Sequence, residues 1–372
     1  GYANFDTWHV GAALSGPLTD SMSGRIALRQ NSSDGFIDNT FLAHDDTNDR
    51  DEFTTRSKLH WSIAEDTEIR FTTAYSNIDN GYDSFSLENS RRTRSDRPGT
   101  DAQERIALGL SADWAMSTGV QLETRLSWSD SAEEYGFDED WVFAGFCNGV
   151  TCDPAVEFTS TDLLERDRSV VSADLRLKSD PSPIDWVIGF YTQHRDEDLD
   201  RQHFGAFTSA YKSERYAGYA QLMFELASYL TLTTGIRYEH FSDEYADTNR
   251  LISDSSEDYW TGELTLEHLF SNNALFYGTL SRGVKPGGIN TDTSSNLLLV
   301  AATFGTFLTS RQRFSSEVLF NKEIGVKASL LDHRLKLRLT GFHMDRYDAQ
   351  LESFTYDPST FIFTSFLDSS SD

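Results

Sequence analysis

The segment RIALGLSADW, residues 105–114, decides the fold of this chain of 372 residues, because apolar and polar or small side chains alternate along it. The segment VQLETRLSW, residues 120–128, has the same period. Arg105 and Arg125 belong to the polar series of these two segments. A side-chain period of two predicts β-strands that have one apolar and one polar face.

The same alternation recurs along the whole chain and predicts an all-β fold of about fourteen strands. We place these strands at residues 7–15, 24–32, 53–63, 68–77, 104–114, 120–129, 167–178, 185–193, 214–226, 230–241, 259–268, 274–282, 317–330 and 335–346. Both side-chain series of the strand at 274–282 contain apolar residues, so its two faces are left unassigned.

The connections between the predicted strands alternate in length. Short turns are followed by long polar stretches, which are expected at residues 33–52, 78–103, 130–166, 194–213, 242–258 and 283–316. A membrane β-barrel has short turns on its periplasmic side and long loops on its outer side, whereas a soluble sandwich has no reason to alternate in this way.

The composition fits strands that cross a membrane. Hydrophobic residues make up 38% of the chain and the mean hydropathy is −0.47, which is low for a large two-sided apolar core but ordinary for a barrel with a polar interior. No segment approaches the run of about 18 uncharged apolar residues that a membrane helix needs. The formal net charge of −27 argues against nucleic acid as a partner, and also against anionic lipid.

The parity of the strands gives an expectation about the chain ends. The first strand leads into a short turn and the last strand follows one, so both ends are expected on the outer side. Complete barrels have their termini on the periplasmic side, and we therefore expect further strands before Gly1 and after Asp372. The predicted fold is an antiparallel transmembrane β-barrel of the bacterial outer membrane, incomplete at both ends.

Three segments carry more specific information than alternation. They are LSGPLTDSMSGRIALRQNSSDGFIDN at 14–39, LFYGTLSRGVKPGGIN at 275–290 and EIGVK at 323–327. In this order they resemble the TonB-dependent outer-membrane receptor family. The match in the second segment is carried by Ser281, Arg282, Gly283, Lys285, Pro286, Gly287 and Gly288. The proline and the two glycines would also end a strand and turn the chain.

The resemblance implies a closed barrel of about 22 strands that holds a plug in its lumen. Residues 1–372 would then be a partial barrel domain without the plug and the C-terminal strands. The family's function would be active uptake of a scarce nutrient, with a ferric siderophore as the first candidate. The implied partners are TonB acting through the missing plug domain, the small-molecule ligand, outer-membrane lipid and lipopolysaccharide.

Two sets of residues are candidates for functional contacts. Charged residues in the polar series are expected to face the lumen and the plug, namely Arg105, Arg125, Arg237, Glu239, Glu323, Lys327 and Arg338. Pairing among charged residues of this face is the simpler interpretation of their role. Aromatic residues of the long loops are candidate ligand contacts, namely Tyr82, Phe85, Trp141, Phe143 and Phe146.

The sequence gives little support for chemistry. No Ser, His and Asp grouping and no set of metal ligands occurs at an informative spacing, so we predict no enzyme, no catalytic residue, no cofactor and no metal site. His194 and His203 could bind a metal in one acidic stretch, although solvated loop residues are the simpler interpretation. Cys147 and Cys152 could close a small disulfide loop in an oxidising compartment, with two free thiols as the alternative.

Two other functions are compatible with a barrel. A passive channel of the porin type would need no plug, and an upstream region coding for a plug would exclude it. An outer-membrane adhesin or enzyme would bind a surface partner through its loops, and an enzyme would show a nucleophile and a base near one rim. No such pair is present in the sequence.

Overall fold

A computed structural model describes residues 1–116, 119–148, 161–179, 184–271, 273–360 and 362–370. Its helices and strands follow in chain order as β1 (Trp8–Pro17), β2 (Met22–Ser33), β3 (Asp38–Asn39), β4 (Arg50–Ala64), β5 (Thr67–Tyr82), β6 (Arg92–Thr93), β7 (Gly99–Met116), β8 (Val120–Asp138), β9 (Thr161–Ser179), β10 (Ile184–Gln202), β11 (Ala206–Ala227), β12 (Leu230–Asp247), β13 (Ile252–Ser271), β14 (Ala274–Lys285), β15 (Gly288–Ile289), α1 (Thr291–Asn296), α2 (Ala301–Thr309), β16 (Arg313–Phe314), β17 (Glu317–Leu330), β18 (Leu335–Tyr347), β19 (Ala349–Asp357) and β20 (Ile362–Ser370).

Fourteen of these strands form the main sheet, in the order β1-β2-β4-β5-β7-β8-β9-β10-β11-β12-β13-β14-β17-β18. They are the fourteen strands that the alternation predicts, and each long strand pairs with the next one along the chain. Pairing is antiparallel, as in β12 with β13, where Leu230 lies opposite His268 and Tyr238 opposite Trp260. An antiparallel order of neighbours follows from hairpin connections, so the all-β antiparallel prediction is confirmed.

One face of the sheet exposes large apolar side chains. Ile236, Ile324 and Leu339 are 59%, 61% and 68% exposed on β12, β17 and β18. Exposure of so many aliphatic and aromatic groups in a row would be very unfavourable in water but matches a surface that contacts lipid. We call this face the apolar face and the opposite one the polar face.

The faces of β14 are settled by its pairing with β17. Tyr277 donates a hydrogen bond from its hydroxyl to Glu323 Oε1 at 2.6 Å, which places Tyr277 on the polar face. Phe276 and Leu280 are 48% and 55% exposed and lie on the apolar face. The alternation could not decide between the two series because both contain apolar residues.

The strands are longer than the alternation indicates, and the extra residues lie at their predicted outer ends. β10 continues to Gln202 and β11 begins at Ala206, while β12 continues to Asp247 and β13 begins at Ile252. The long loops expected at 194–213 and 242–258 are therefore wrong, and these stretches are mostly strand. Beyond the membrane both faces of a strand are wet, so the apolar series disappears although the hydrogen-bonded ladder continues.

The residues cluster by their contacts into two compact units, which are described separately below. Unit 1 comprises residues 1–112, 125–172 and 195–211, and unit 2 comprises residues 113–124, 173–194 and 212–372.

Unit 2 contains a small core that the alternation did not predict. Val300 and Leu308 of the α1–α2 region pack with Ile362 and Phe366 of the β19–β20 hairpin. The stretch 283–316 was expected to be polar, but its apolar run at 297–308 supplies half of this core. None of the described helices has both the length and the apolar character needed to cross a membrane.

Candidate functional site

Aromatic side chains from three segments of unit 1 meet at the predicted outer ends of its strands. The Phe85 ring stacks on Trp141 with ring centroids 5.1 Å apart, and Tyr82 meets the edge of Phe85 at 5.9 Å. Tyr135 and Phe137, at the end of β8, contact Tyr82 and Phe85 at 5.1 and 5.9 Å. The structure thus brings together three of the predicted ligand contacts, which lie as far apart in sequence as 82 and 141.

The other two predicted contacts form a neighbouring group. Phe143 stacks on Phe41 at 4.2 Å and meets Phe146 at 5.7 Å. The guanidinium of Arg94 lies 5.3 Å from the centre of the Phe146 ring. Trp141 and Phe146 line one small pocket together with Arg94, so the two groups of rings are adjacent. We call the rings of these two groups the aromatic cluster.

The backbone at Trp141 is held in an unusual conformation. Its φ is 61°, in the left-handed region that bulky residues seldom adopt. The next residue, Val142, is only 1% exposed and anchors the loop. Strain of this kind persists where the surrounding structure fixes a side chain, and it is often found at binding sites.

A basic segment lies beside the aromatic cluster. Residues 91–97, RRTRSDR, carry four arginines against one aspartate in a chain whose net charge is −27. Arg92 and Arg97 are exposed, whereas Arg91 lies over the ring of Phe36 at 5.5 Å. Arg94 pairs with Glu88 at 2.9 Å. We did not predict these arginines as site residues, although four arginines within seven residues of an acidic chain were a readable signal.

A buried polar junction positions this basic segment. Asn39 donates from Nδ2 to Asp83 Oδ2 at 2.9 Å and to the Ser95 carbonyl at 2.8 Å. Thr93 donates its hydroxyl to the same Asp83 oxygen at 2.7 Å. Burial raises the pKa of the Asp83 carboxyl, and these two hydrogen bonds act in the opposite direction. The junction ties β3 to β6, which pair in parallel, and so fixes one loop against the other.

The polar face of unit 2 carries a paired network. Arg237 lies 2.5 Å from Glu239, and its guanidinium also sits 5.1 Å from the centre of the Tyr191 ring. Glu239 is 4% exposed, accepts a hydrogen bond from Tyr259 and lies 3.7 Å from Arg215. Two of the predicted lumen-facing residues, Arg237 and Glu239, therefore contact each other.

The other predicted residues of the polar face have different environments. Arg338 lies opposite Lys327 in the β17–β18 register and is exposed. In unit 1, Arg105 is exposed and Arg125 is half-buried. Their roles toward a plug stay a prediction.

The EIGVK segment has a direct physical explanation in one aromatic ring. Glu323 accepts the Tyr277 hydrogen bond, and the ammonium of Lys327 lies 4.8 Å from the centre of the Tyr277 ring. A Cβ on Gly325 would approach atoms of that ring to 2.5 Å, so only glycine leaves room for it. Within the segment, Glu323 therefore binds the Tyr277 hydroxyl, Gly325 leaves room for the ring and Lys327 covers it.

The SRGVKPGG segment divides between the sheet and a loop. Ser281, Arg282, Gly283 and Lys285 belong to β14, and the chain leaves the sheet at Pro286. Gln350 donates from Nε2 to the carbonyls of Pro286 and Ser315, both at 2.9 Å. A Cβ on Gly287 would lie 2.5 Å from the Phe314 carbonyl oxygen, and one on Gly288 2.9 Å from the Phe314 ring. These glycines permit a close approach of two chain segments.

His194 and His203 are each paired with a glutamate. His194 pairs with Glu214 at 3.3 Å, and His203 pairs with Glu139 at 2.8 Å. His203 is 8% exposed, so its interpretation as a solvated loop residue was wrong. Within the described ranges, no three His, Cys, Asp or Glu residues are grouped so as to hold a metal ion. Cys147 is disulfide-bonded, but Cys152 lies outside the described residues, and their pairing stays a prediction.

The exposed apolar face and the antiparallel order of the fourteen long strands are features of a β-barrel wall in an outer membrane. Residues 3–369 match the family described as TonB dependent receptor-like, beta-barrel. The chain therefore belongs to the TonB-dependent receptor family, which consists of receptors and transporters rather than enzymes and resides in the bacterial outer membrane.

Solved structures of receptors show the same fold. The ferric yersiniabactin uptake receptor FyuA from Yersinia pestis superposes with a TM-score of 0.74 at 18% identity, covering 94% of this chain and 54% of that receptor. The alcaligin outer-membrane receptor FauA from Bordetella pertussis gives 0.65 at 13% identity, with 99% and 54% covered. The siderophore receptor PiuA from Acinetobacter baumannii gives 0.68 at 11% identity, with 96% and 57% covered. The chain thus spans about half the length of these receptors.

Proposed function

We propose that this chain forms the ligand-capturing barrel region of a receptor that imports a ferric siderophore with energy delivered through TonB. Family membership supports receptor function, and solved structures with the same fold include a ferric yersiniabactin uptake receptor and a siderophore receptor. In this proposal the residues of the polar face meet a plug domain, through which TonB acts.

The position of the aromatic cluster beside the basic segment is the observation that supports this class of ligand. Ferric complexes of aromatic chelators are bulky, planar in part and anionic. Half-buried rings such as Trp141 and Phe146 offer apolar faces to such a ligand, and exposed guanidinium groups such as Arg92 and Arg97 offer paired donors to its oxygens. An acidic chain that concentrates arginine at one aromatic surface is suited to attract an anion there.

Binding is tested on the full-length receptor in detergent, with ferric complexes of a catecholate, a hydroxamate and citrate as probes. We expect the catecholate complex to bind, and the double variant Arg92→Gln/Arg97→Gln to weaken this binding about tenfold or more. Arg250→Gln removes an exposed cation at the tip between β12 and β13, and it is the control to which each of the single variants Arg92→Gln and Arg97→Gln is compared. Equal binding by these variants and the control would show that the basic segment does not contact the ligand.

Energy coupling is tested by uptake of radioactive iron in cells that carry or lack TonB. We expect uptake of the ferric complex to cease without TonB, while binding at the cell surface persists. Uptake that continues without TonB and rises linearly with ligand concentration would instead identify a passive channel of the porin type. Binding without uptake in either strain would favour an adhesin.

A further inference from the structure

The apolar face of unit 2 changes character at one level on three neighbouring strands. Along β14, Leu280 is the last aliphatic residue of this face before Arg282. On β17 the next residue of this face toward the outer end after Ile324 is Lys322. On β13, Leu264 is followed on this face by a glycine and then by Trp260. Two cations and one indole therefore interrupt the apolar face toward its predicted outer side, where Val284 and Phe320 follow on β14 and β17.

The register shows that these residues are neighbours. Arg282 lies opposite Gly262 on β13 and opposite Phe320 on β17, and Lys322 lies opposite Leu280. Arg282 and Lys322 are thus diagonal neighbours on paired strands, a relation that separates residues by about 7–8 Å. Both cations can reach one small anionic group.

A groove of about 420 Å³ opens between them. Ile236, Leu264 and Leu280 form its aliphatic wall, and Trp260, Arg282 and Lys322 form its rim. We call it the rim groove. Gly262, which lies opposite Arg282, lines the groove without a side chain.

Arg282 is held in place without a carboxylate. Its guanidinium stacks 4.4 Å from the Trp260 ring centre, lies 5.6 Å from that of Phe320, and donates from Nη1 to the Trp260 carbonyl. No carboxylate among the residues that the structure describes forms an ion pair with it. Aromatic stacking fixes the plane of a guanidinium and leaves most of its N–H groups able to donate to an anion.

A cation on a lipid-facing surface needs a compensating partner. A basic residue there costs about 2–4 kcal/mol at the bilayer midplane but only about 0–1 kcal/mol at the interface, where headgroups are present. Indole rings also prefer the interface, and Trp260 lies beside Arg282. The rim groove therefore lies at the level of lipid headgroups, with its aliphatic wall at the level of acyl chains.

We propose that the rim groove binds a phosphate-bearing lipid of the outer leaflet. Arg282 and Lys322 would donate to the phosphate, and an acyl chain would lie along Leu264 and Leu280. The net charge of −27 had argued against an anionic lipid, but that charge is a sum over the chain, whereas binding depends on the local cations.

Asp345 limits the affinity of this groove and provides a sharp test. Lys322 lies 3.2 Å from Asp345, which also contacts His343 at 3.0 Å. The carboxylate competes with a phosphate for Lys322. Asp345→Asn should therefore tighten binding of the phosphorylated lipid several-fold, because it removes a negative charge and releases the ammonium.

The experiment uses the full-length receptor in detergent and native mass spectrometry with three probes: lipid A with its phosphates, dephosphorylated lipid A and inorganic phosphate. We expect the phosphorylated lipid to bind and the dephosphorylated lipid to bind at least tenfold more weakly. Arg282→Gln/Lys322→Gln should weaken binding of the phosphorylated lipid about tenfold. Arg282→Lys/Lys322→Arg keeps both charges and should retain most of the binding.

Arg334→Gln, in the turn between β17 and β18, is the control for the loss of one exposed cation. Folding of every variant is checked by its heat-modifiable mobility on gels. Equal binding of the two lipids, or unchanged binding in the double variant, would overturn the proposal. Displacement of the lipid by inorganic phosphate at equal concentration would also overturn it, because the groove would then be a site for free anions.

Discussion

Gly325→Ala tests whether glycine is required in the EIGVK segment for the Tyr277 ring to fit against β17. The new methyl group would lie 2.5 Å from ring atoms of Tyr277, well inside van der Waals contact. The ring cannot move freely, because its hydroxyl binds Glu323 at 2.6 Å and lies 3.1 Å from Thr340 Oγ1. The substitution must therefore either strain the β14–β17 contact or break these hydrogen bonds.

The size of the effect follows from those two choices. Overpacking by one methyl group costs about 1–3 kcal/mol where neighbours cannot yield. Loss of a hydrogen bond to a charged acceptor costs about 1.5–3 kcal/mol. Since the ring will take the less costly of these two courses, we expect a loss of about 1–3 kcal/mol in unfolding free energy.

The assay is urea unfolding of the full-length receptor in lipid vesicles, followed by tryptophan fluorescence. Gly341→Ala on the neighbouring strand is the matched control, because a Cβ there meets nothing within 4 Å. It should change the unfolding free energy by less than about 1 kcal/mol. This control separates the steric effect from the general effect of replacing glycine in a strand.

A double-mutant cycle decides the cause. With Tyr277→Ala the ring is absent, so adding Gly325→Ala should cost little or nothing more. An equal cost for Gly325→Ala in the presence and absence of the ring would refute the steric explanation. The cost would then have to come from the backbone of β17 itself.

Three further predictions concern other parts of the chain. Burial raises the pKa of Asp83 above its ordinary value of 3.8, so the folded protein binds more protons at this carboxyl than the unfolded protein does. The stability of the junction therefore falls as the pH rises from about 3.8 through the raised pKa, and it stays level at higher pH. Asp83→Asn should therefore increase the hydrogen-exchange protection of residues 84–98 at pH 7 but not at pH 4, and equal gains at both would contradict this. Arg201 and Asp162 form a buried pair at 2.6 Å, so Arg201→Met should lower the unfolding free energy by about 3–5 kcal/mol. The double variant Arg201→Met/Asp162→Leu should recover most of this loss in urea unfolding. If the losses of the two substitutions instead add, an unpaired buried charge is not the cause. Leu308→Ala, at a position with 0% exposure, should cost about 2–5 kcal/mol locally and expose residues 286–316 to protease; unchanged cleavage would mean that the small core does not hold this loop.

The sequence predicted the membrane part of the fold well, because lipid on one side and water on the other impose a period of two on every strand. The strands at 105–114 and 120–128 show this period without interruption, and both are strands in the structure. Outside the membrane that constraint is absent. The acidic residues after His194 belong to β10, although no series of alternating apolar residues indicates a strand there.

The candidate site was predicted only in part for the same reason. The aromatic residues were chosen by type, and the structure shows which of them stack, because stacking depends on loops that are fixed by distant groups such as Asn39 and Asp83. The arginines at 91–97 were visible in the sequence but were not connected to the rings. The small core at Leu308 required the pairing of two regions more than fifty residues apart, from Leu308 to Phe366.

The residues that identify the family and the residues suited to bind a ligand are different residues, and their surroundings explain the difference. The Tyr277 ring is contacted by Glu323 and Lys327 and has room only because residue 325 is glycine. Two further glycines, Gly287 and Gly288, allow their chain segment to approach Phe314 closely. Such contacts leave little room for substitution in this chain. Trp141 and the arginines of 91–97 lie outside the main sheet, in connections between its strands. Substitutions in those connections can therefore alter the surface of the aromatic cluster while the contacts around Tyr277 and Gly287 stay intact, and solved receptors share this fold at 11–18% identity.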